Sequence, residues 1–118
     1  MSYLLLITET SAARRARSTA DGQIAMDKMT AFGQDLQKRG LLLAADSLRS
    51  DASGVRVQIR EGKRSLLDGP FAESKEIVGG FFLIDVASLE EAVAIASECP
   101  AAAWATIEVR QSGACYED

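Results

Sequence analysis

The sequence predicts an α+β domain, an antiparallel sheet with two helices on one face, and three observations carry that expectation. Apolar runs or apolar–polar alternations mark strands at residues 3–8, 41–48, 55–60, 64–67, 77–86 and 106–110. Apolar residues at helical spacing mark helices at residues 23–39 and 88–99. Each helix lies between two strands, so the order is β-α-β, a hairpin, then β-α-β. Two split βαβ units of this length make a ferredoxin-like βαβ-βαβ domain with the hairpin inserted between them.

The first strand, YLLLIT at residues 3–8, is apolar without alternation, as a central strand buried on both faces would be. Residues 9–22 are polar and hold Arg14, Arg15 and Arg17. They read as a solvated loop or ragged helix start, with an anion-binding patch as the alternative. Ala25, Met29, Phe32 and Leu36 then recur at helical spacing, with the N-cap expected near Asp21. Lys38 and Arg39 suit the last turn, and Gly40 is placed to end the helix. Gly33 inside it marks a point of close packing.

LLLAADSL at residues 41–48 is the second strand, and residues 49–54 form a loop. Val55, Val57 and Ile59 alternate with Arg56, Gln58 and Arg60, the pattern of a half-buried strand. Glu61-Gly62-Lys63 turns the chain into residues 64–67, the partner strand. Asp68-Gly69-Pro70 must end that strand, because Pro70 has no N–H and disfavours the α region for Gly69. Gly79-Gly80 opens the next long strand and reads as a bulge or a close backbone approach, since it lacks the spacing of a phosphate-binding loop. Ser88 and Glu91 form a capping box, with Leu89, Ala92, Val93 and Ala96 as the apolar stripe. Pro100 stops this helix, Trp104 reads as core or dimer contact, and Glu108 and Arg110 share a face of the last strand, where they are expected to pair across the sheet.

A length of 118 residues fits one domain, 1–118, able to bury a core. Apolar residues at 47% and charged residues at 25% fit an ordinary globular chain. With 13 basic and 17 acidic residues the charge is −4, which argues against nucleic acid as a partner. No apolar run approaches the roughly 18 residues of a membrane span, and residues 4–7 are too short for a signal peptide, so a cytoplasmic location is expected. Cys99 and Cys115 lack chelate spacing and read as free thiols. The chain has no histidine, which removes the commonest metal ligand and general base. Neither metal nor cofactor is expected.

Both central strands are apolar on both sides: Leu4 and Leu6 oppose Tyr3, Leu5 and Ile7, while Phe81 and Leu83 oppose Phe82, Ile84 and Val86. Two helices cover only one face of a sheet. A homodimer joined through the helix-free face is therefore expected.

Four carboxylates hold positions of interest: Asp46, Asp68, Glu73 and Asp85. Asp46 and Asp68 each follow an apolar strand, where ligand sites often form. The Asp68 side chain equally suits capping its own turn. Glu73 and Lys75, two apart, would point to one side of an extended segment, either to hold an anionic ligand or to pair in solvent.

The combination of DGPFAESKE, GGFFLIDV and the capped acidic helix resembles the DGPF family of YCII-related domain proteins, from the YLLLI strand to IEVR at residues 107–110. The resemblance implies a dimeric α/β-barrel of ferredoxin-like subunits. Its motif falls here on Asp68, Gly69, Pro70, Phe71, Glu73 and Lys75. The family is similar to YCII proteins with a proposed catalytic His–Asp pair, which a chain without histidine cannot form, and a related member looks like a lyase acting on muconate-type acids. Association with sigma factors suggests an accessory or regulatory role. Asp46 stands where relatives tend to carry glutamate, and Gln111 where they carry proline.

Two functions follow. One is a binding or accessory module for a small organic acid. The other is a cofactor-free lyase or isomerase, with Asp68 or Glu73 as a general base raised by burial and Lys75 steadying the substrate. Asp68, Glu73 and Lys75 are the site expected from the sequence, with Phe71 as an apolar wall.

Overall fold

The computed structural model describes residues 1–71 and 75–116. Along the chain run β1 (Ser2–Glu9), α1 (Ser11–Ala16), α2 (Thr19–Lys38), β2 (Leu42–Ser47), β3 (Val55–Arg60), β4 (Lys63–Asp68), β5 (Ile77–Asp85), α3 (Leu89–Glu98) and β6 (Thr106–Gln111). The main sheet is antiparallel in the order β2-β5-β1-β6, and β3 and β4 form a separate hairpin. This is the expected ferredoxin-like order.

The side chains of β1 and β5 sort by parity. Tyr3 and Leu5 of β1, Phe82 and Ile84 of β5, and Val86 just beyond it are buried with Phe32 and Leu36 of α2 and Ala92, Ile95 and Ala96 of α3. Both long helices thus cover one face. Leu5, Leu36 and Ile84 lose nearly all contact with water, which stabilises by about 1.5–3 kcal/mol each. The opposite face carries Leu4, Leu6, Phe81 and Leu83, all only partly covered.

Two boundaries differ from expectation. Residues 11–16 form a helix of their own, capped by Thr10, whose side chain accepts from the Ala13 N–H at 3.0 Å. Helix α2 then starts at Thr19 with Ser18 as its N-cap, and the Asp21 N–H donates to Ser18 Oγ at 3.1 Å. Asp21 therefore sits in the first turn, where its charge suits the helix dipole. The far end follows the sequence: Gly40 adopts φ +72°, with Gly40 N–H to Gln37 O and Leu41 N–H to Leu36 O, both at 3.0 Å, closing a Schellman motif.

In α3 the Ser88 cap forms as expected, accepting from the Glu91 N–H at 3.2 Å, while Glu91 reaches back to the Ala87 N–H. The buried stripe is Ala92, Ile95 and Ala96, whereas Leu89 and Val93 stay about half exposed. Ile95 joins the stripe because it lies three residues after Ala92 and beside Ala96 on the helix face turned to the core. Glu108 and Arg110 pair with each other at 3.9 Å along β6 rather than across the sheet, since their opposite positions are Leu6 and Leu4.

The hairpin turns at Glu61-Gly62, both at positive φ as a two-residue turn requires. Its alternation is real, but Val55, Val57, Ile59 and Leu66 stay exposed on one face, so the strand is not half-buried within this chain.

Candidate functional site

Gly79 and Gly80 shape the main cavity from below. The register of β5 against β1 passes from Ile7–Gly80 to Thr8–Val78, so Gly79 is the extra residue of a bulge. A Cβ on Gly79 would lie 3.4 Å from Arg14 Nη1 and 3.7 Å from Glu9 Oε1. A Cβ on Gly80 would come within 2.8 Å of the Asp46 carbonyl oxygen. The bare backbone lets α1 and β2 close in from both sides.

Between this floor and α2 opens a cavity of about 550 Å³. Its walls include Ile7, Met26, Met29, Phe82 and Trp104. Phe82 is held in place: its ring meets Phe32 edge-on, 5.1 Å between centroids, and Gly33 leaves 3.3 Å between its own Cβ direction and Phe82 Cε1. That confirms Gly33 as the point of close packing.

The polar end is built by β1, α1 and the C-cap of α1, Arg17. Arg17 Nη2 donates to Glu9 Oε2 at 2.7 Å, and Nη1 reaches Oε1 at 3.4 Å. Both side chains are shielded, at 23% and 8% exposure, and the hydrogen bond to Glu9 raises the Arg17 pKa further above its ordinary value. Arg14 donates to the Leu48 carbonyl and forms no ion pair among the described residues. Asp46 lies exposed at the rim, its Oδ1 accepting from the Ser47 N–H at 2.9 Å. The anion-binding alternative for Arg14 and Arg17 therefore gains a cavity. The available signal was the Thr10 cap followed by two arginines, Arg14 in the last turn of α1 and Arg17 as its C-cap.

The DGPF segment is organised around a residue the sequence does not single out, Asp51. Asp51 Oδ2 accepts from the Phe71 N–H at 3.0 Å and from Ser11 Oγ at 3.4 Å. Gly69 lies so close that a Cβ there would fall 1.7 Å from the Asp51 carbonyl oxygen. The Gly69-Pro70 peptide is cis. Phe71 packs against Gly54, and the Arg56 guanidinium carbon lies 4.0 Å from its ring centroid. A second cleft of about 490 Å³ runs beside it, lined by Arg49, Asp51, Arg56, Phe71 and Glu76.

Of the residues expected to form the site, Asp68 ends β4 in an exposed position opposite Val55, and Lys75 is exposed before β5. Neither lines either cavity, whereas Phe71 does line the second. Glu73 lies outside the described residues.

The sequence matches the YCII-related domain over residues 1–112. The chain belongs to the YCII-related family. It is also similar to an uncharacterised protein of Rhizobium meliloti strain 1021, at 31% identity over 98 residues, 83% of this chain and 79% of that relative. The YCII-related match spans every strand and helix described above, so the Arg14–Arg17 cavity and the Asp51–DGPF clamp both fall inside it. Among the described residues no helix is long and apolar enough to cross a membrane.

Proposed function

We propose that this YCII-related protein is a binding module for small organic acids, with the ligand seated in the cavity between α2 and the sheet. One observation carries the reading: the Arg14 and Arg17 guanidinium groups line a cavity whose walls also include Ile7, Met26, Met29, Phe82 and Trp104, with Glu9 and Asp46 as its carboxylates. A fixed cation beside apolar surface selects an anion with a hydrocarbon body, and about 550 Å³ is in the range of small-molecule sites. A thermal-shift screen of small carboxylic acids against their amides tests it, because a ligand that binds only the folded chain raises its stability by mass action. Acids should raise the melting temperature where amides do not. If no acid does so at millimolar concentration, the reading fails.

The helix-free face supports a homodimer as the working form, since Leu4, Leu6, Phe81 and Leu83 lie on the side of the sheet away from the core and are only partly covered. A second functional reading places a lyase or isomerase site at the DGPF segment, with Asp68 or Glu73 as base and Lys75 holding the substrate anion. Phe71 on the wall of the second cleft favours it. Lys75→Ala decides between the places: it should weaken an acid at least tenfold if the DGPF segment holds it, and leave affinity unchanged if the α2 cavity does.

A further inference from the structure

We infer that the ligand of the α2 cavity is a monocarboxylate with an aromatic or similarly bulky apolar body, and that Arg14 is the residue that receives its single charge. The inference rests on the organic-acid reading above and narrows it.

The two guanidinium groups are not equivalent. Arg17 is already matched by Glu9 through two hydrogen bonds, and the Glu9 side chain is only 8% exposed. A ligand carboxylate that took Arg17 would leave the Glu9 carboxylate shielded and unpaired, which is strongly unfavourable. Arg14, by contrast, spends one N–H on the neutral Leu48 carbonyl and keeps its full charge with no carboxylate partner among the described residues. Its Nη1 lies beside Gly79 on the cavity floor, near Glu9 Oε1, which Arg17 already holds. One uncompensated cation takes one carboxylate.

A second carboxylate on the ligand would find no second cation without a carboxylate partner among the described lining residues, since Arg17 is held by Glu9. It would instead meet Glu9 and the Asp46 carboxylate at the rim. Farther in, the walls are Met26, Met29, Phe82 and Trp104. Thioether and aromatic groups together suit a ring, because sulfur and ring faces both attract aromatic edges and faces. Phe82 is locked by Phe32 and Gly33, so that wall is formed before any ligand arrives.

The test uses four probes on the full chain by isothermal titration: phenylacetate, acetate, phenylacetamide and homophthalate, which is phenylacetate with a second carboxylate. Phenylacetate should bind tightest, with acetate, phenylacetamide and homophthalate each at least tenfold weaker. Arg14→Gln should weaken phenylacetate at least tenfold while leaving the melting temperature of the free protein within a few degrees. Homophthalate binding as tightly as phenylacetate would overturn the single-charge assignment, and acetate doing so would overturn the bulky apolar body, each leaving an organic-acid site standing. Phenylacetamide binding as tightly would overturn the need for a carboxylate. Unchanged phenylacetate affinity in Arg14→Gln would overturn the role of Arg14. If none of the three acids binds, both the class and the site reading fall.

Discussion

The Phe71 N–H donates to the Asp51 carboxylate at 3.0 Å, joining two residues 20 apart in the chain. That contact, with the Ser11 hydroxyl on the same oxygen, ties the DGPF turn, the 50–54 loop and the start of α1 into one junction. The conformation of the motif is thus set by a residue outside it, and α1, which carries Arg14 and leads into Arg17, is anchored through the same carboxylate.

Asp51→Ala removes the acceptor for both donors. Both bonds are partly buried, so the loss should destabilise the chain by about 1–3 kcal/mol. Urea denaturation checks this: the midpoint should fall with an unchanged slope. Because α1 is anchored there, Asp51→Ala should also weaken any acid bound at Arg14. A midpoint equal to wild type would remove Asp51 from this role.

Gly69→Ala should be worse than a typical surface change. The new Cβ would start 1.7 Å from the Asp51 carbonyl oxygen, which is backbone and cannot swing aside. The turn or the 51–53 segment must shift, at a cost of about 2 kcal/mol or more, in the range of overpacked cores. Gly113→Ala, where a Cβ meets nothing within 4 Å, is the control and should change little. Equal midpoints for the two variants would show that the close approach is not maintained in solution.

The β-α-β, hairpin, β-α-β order was legible because strand and helix periods differ sharply in residues 3–8, 25–36 and 80–86, and because Gly40 and Ser88 punctuate the helices. What was not legible depended on contacts across the chain. Helix α1 has no buried residue, so no apolar stripe announces it; polar tethers from Arg14, Arg17 and Ser11 hold it instead. Asp51 looked like one more polar loop residue, since its partner lies 20 residues away. The hairpin alternation could not reveal that its apolar face, Val55, Val57, Ile59 and Leu66, stays exposed among the described residues. For the site, the sequence drew attention to Asp68 and Lys75 through the DGPF motif, whereas the cavity draws on residues from β1, α1, α2, β2 and β5 that no local pattern connects.

Cys99 gives a pH signature. Burial pushes its thiol pKa up, only partly offset by hydrogen bonds from the Ala101 and Ala102 backbone, and its Sγ lies 3.8 Å from Met29 Sδ. A raised pKa means the folded state holds the proton more tightly than the unfolded one. The stability linked to that proton is complete below the ordinary thiol pKa of about 8.5 and is lost as pH rises through the folded value. Wild type should therefore lose more stability than Cys99→Ala between neutral and strongly alkaline pH. At neutral pH a thiol reagent should modify exposed Cys115 quickly and buried Cys99 only as the chain opens. Equal rates for the two would contradict the burial.

The remaining prediction concerns the sheet face that no helix covers. The chain exposes 8168 Å² of accessible surface, against about 6,200 Å² for a compact monomer of this mass. Its radius of gyration is 16.0 Å, above the roughly 13.5 Å of a compact domain of this length. The excess of roughly 2,000 Å² per chain, or about 4,000 Å² for two chains, is within the range of total area that obligate homodimer interfaces remove from water. Leu4, Leu6, Phe81 and Leu83 form the apolar centre of that face, and Glu108 and Arg110 lie beside it as a polar rim. Light scattering coupled to gel filtration should give twice the chain mass at micromolar concentration. Phe81→Asp should give the monomer mass while keeping the helical circular dichroism signal, because Phe81 lies on the side of β5 away from the core. The same substitution on the core side, Phe82→Asp, should unfold the chain instead. A wild-type monomer at that concentration, or a Phe81→Asp dimer, would mean the face is covered by something other than a second copy.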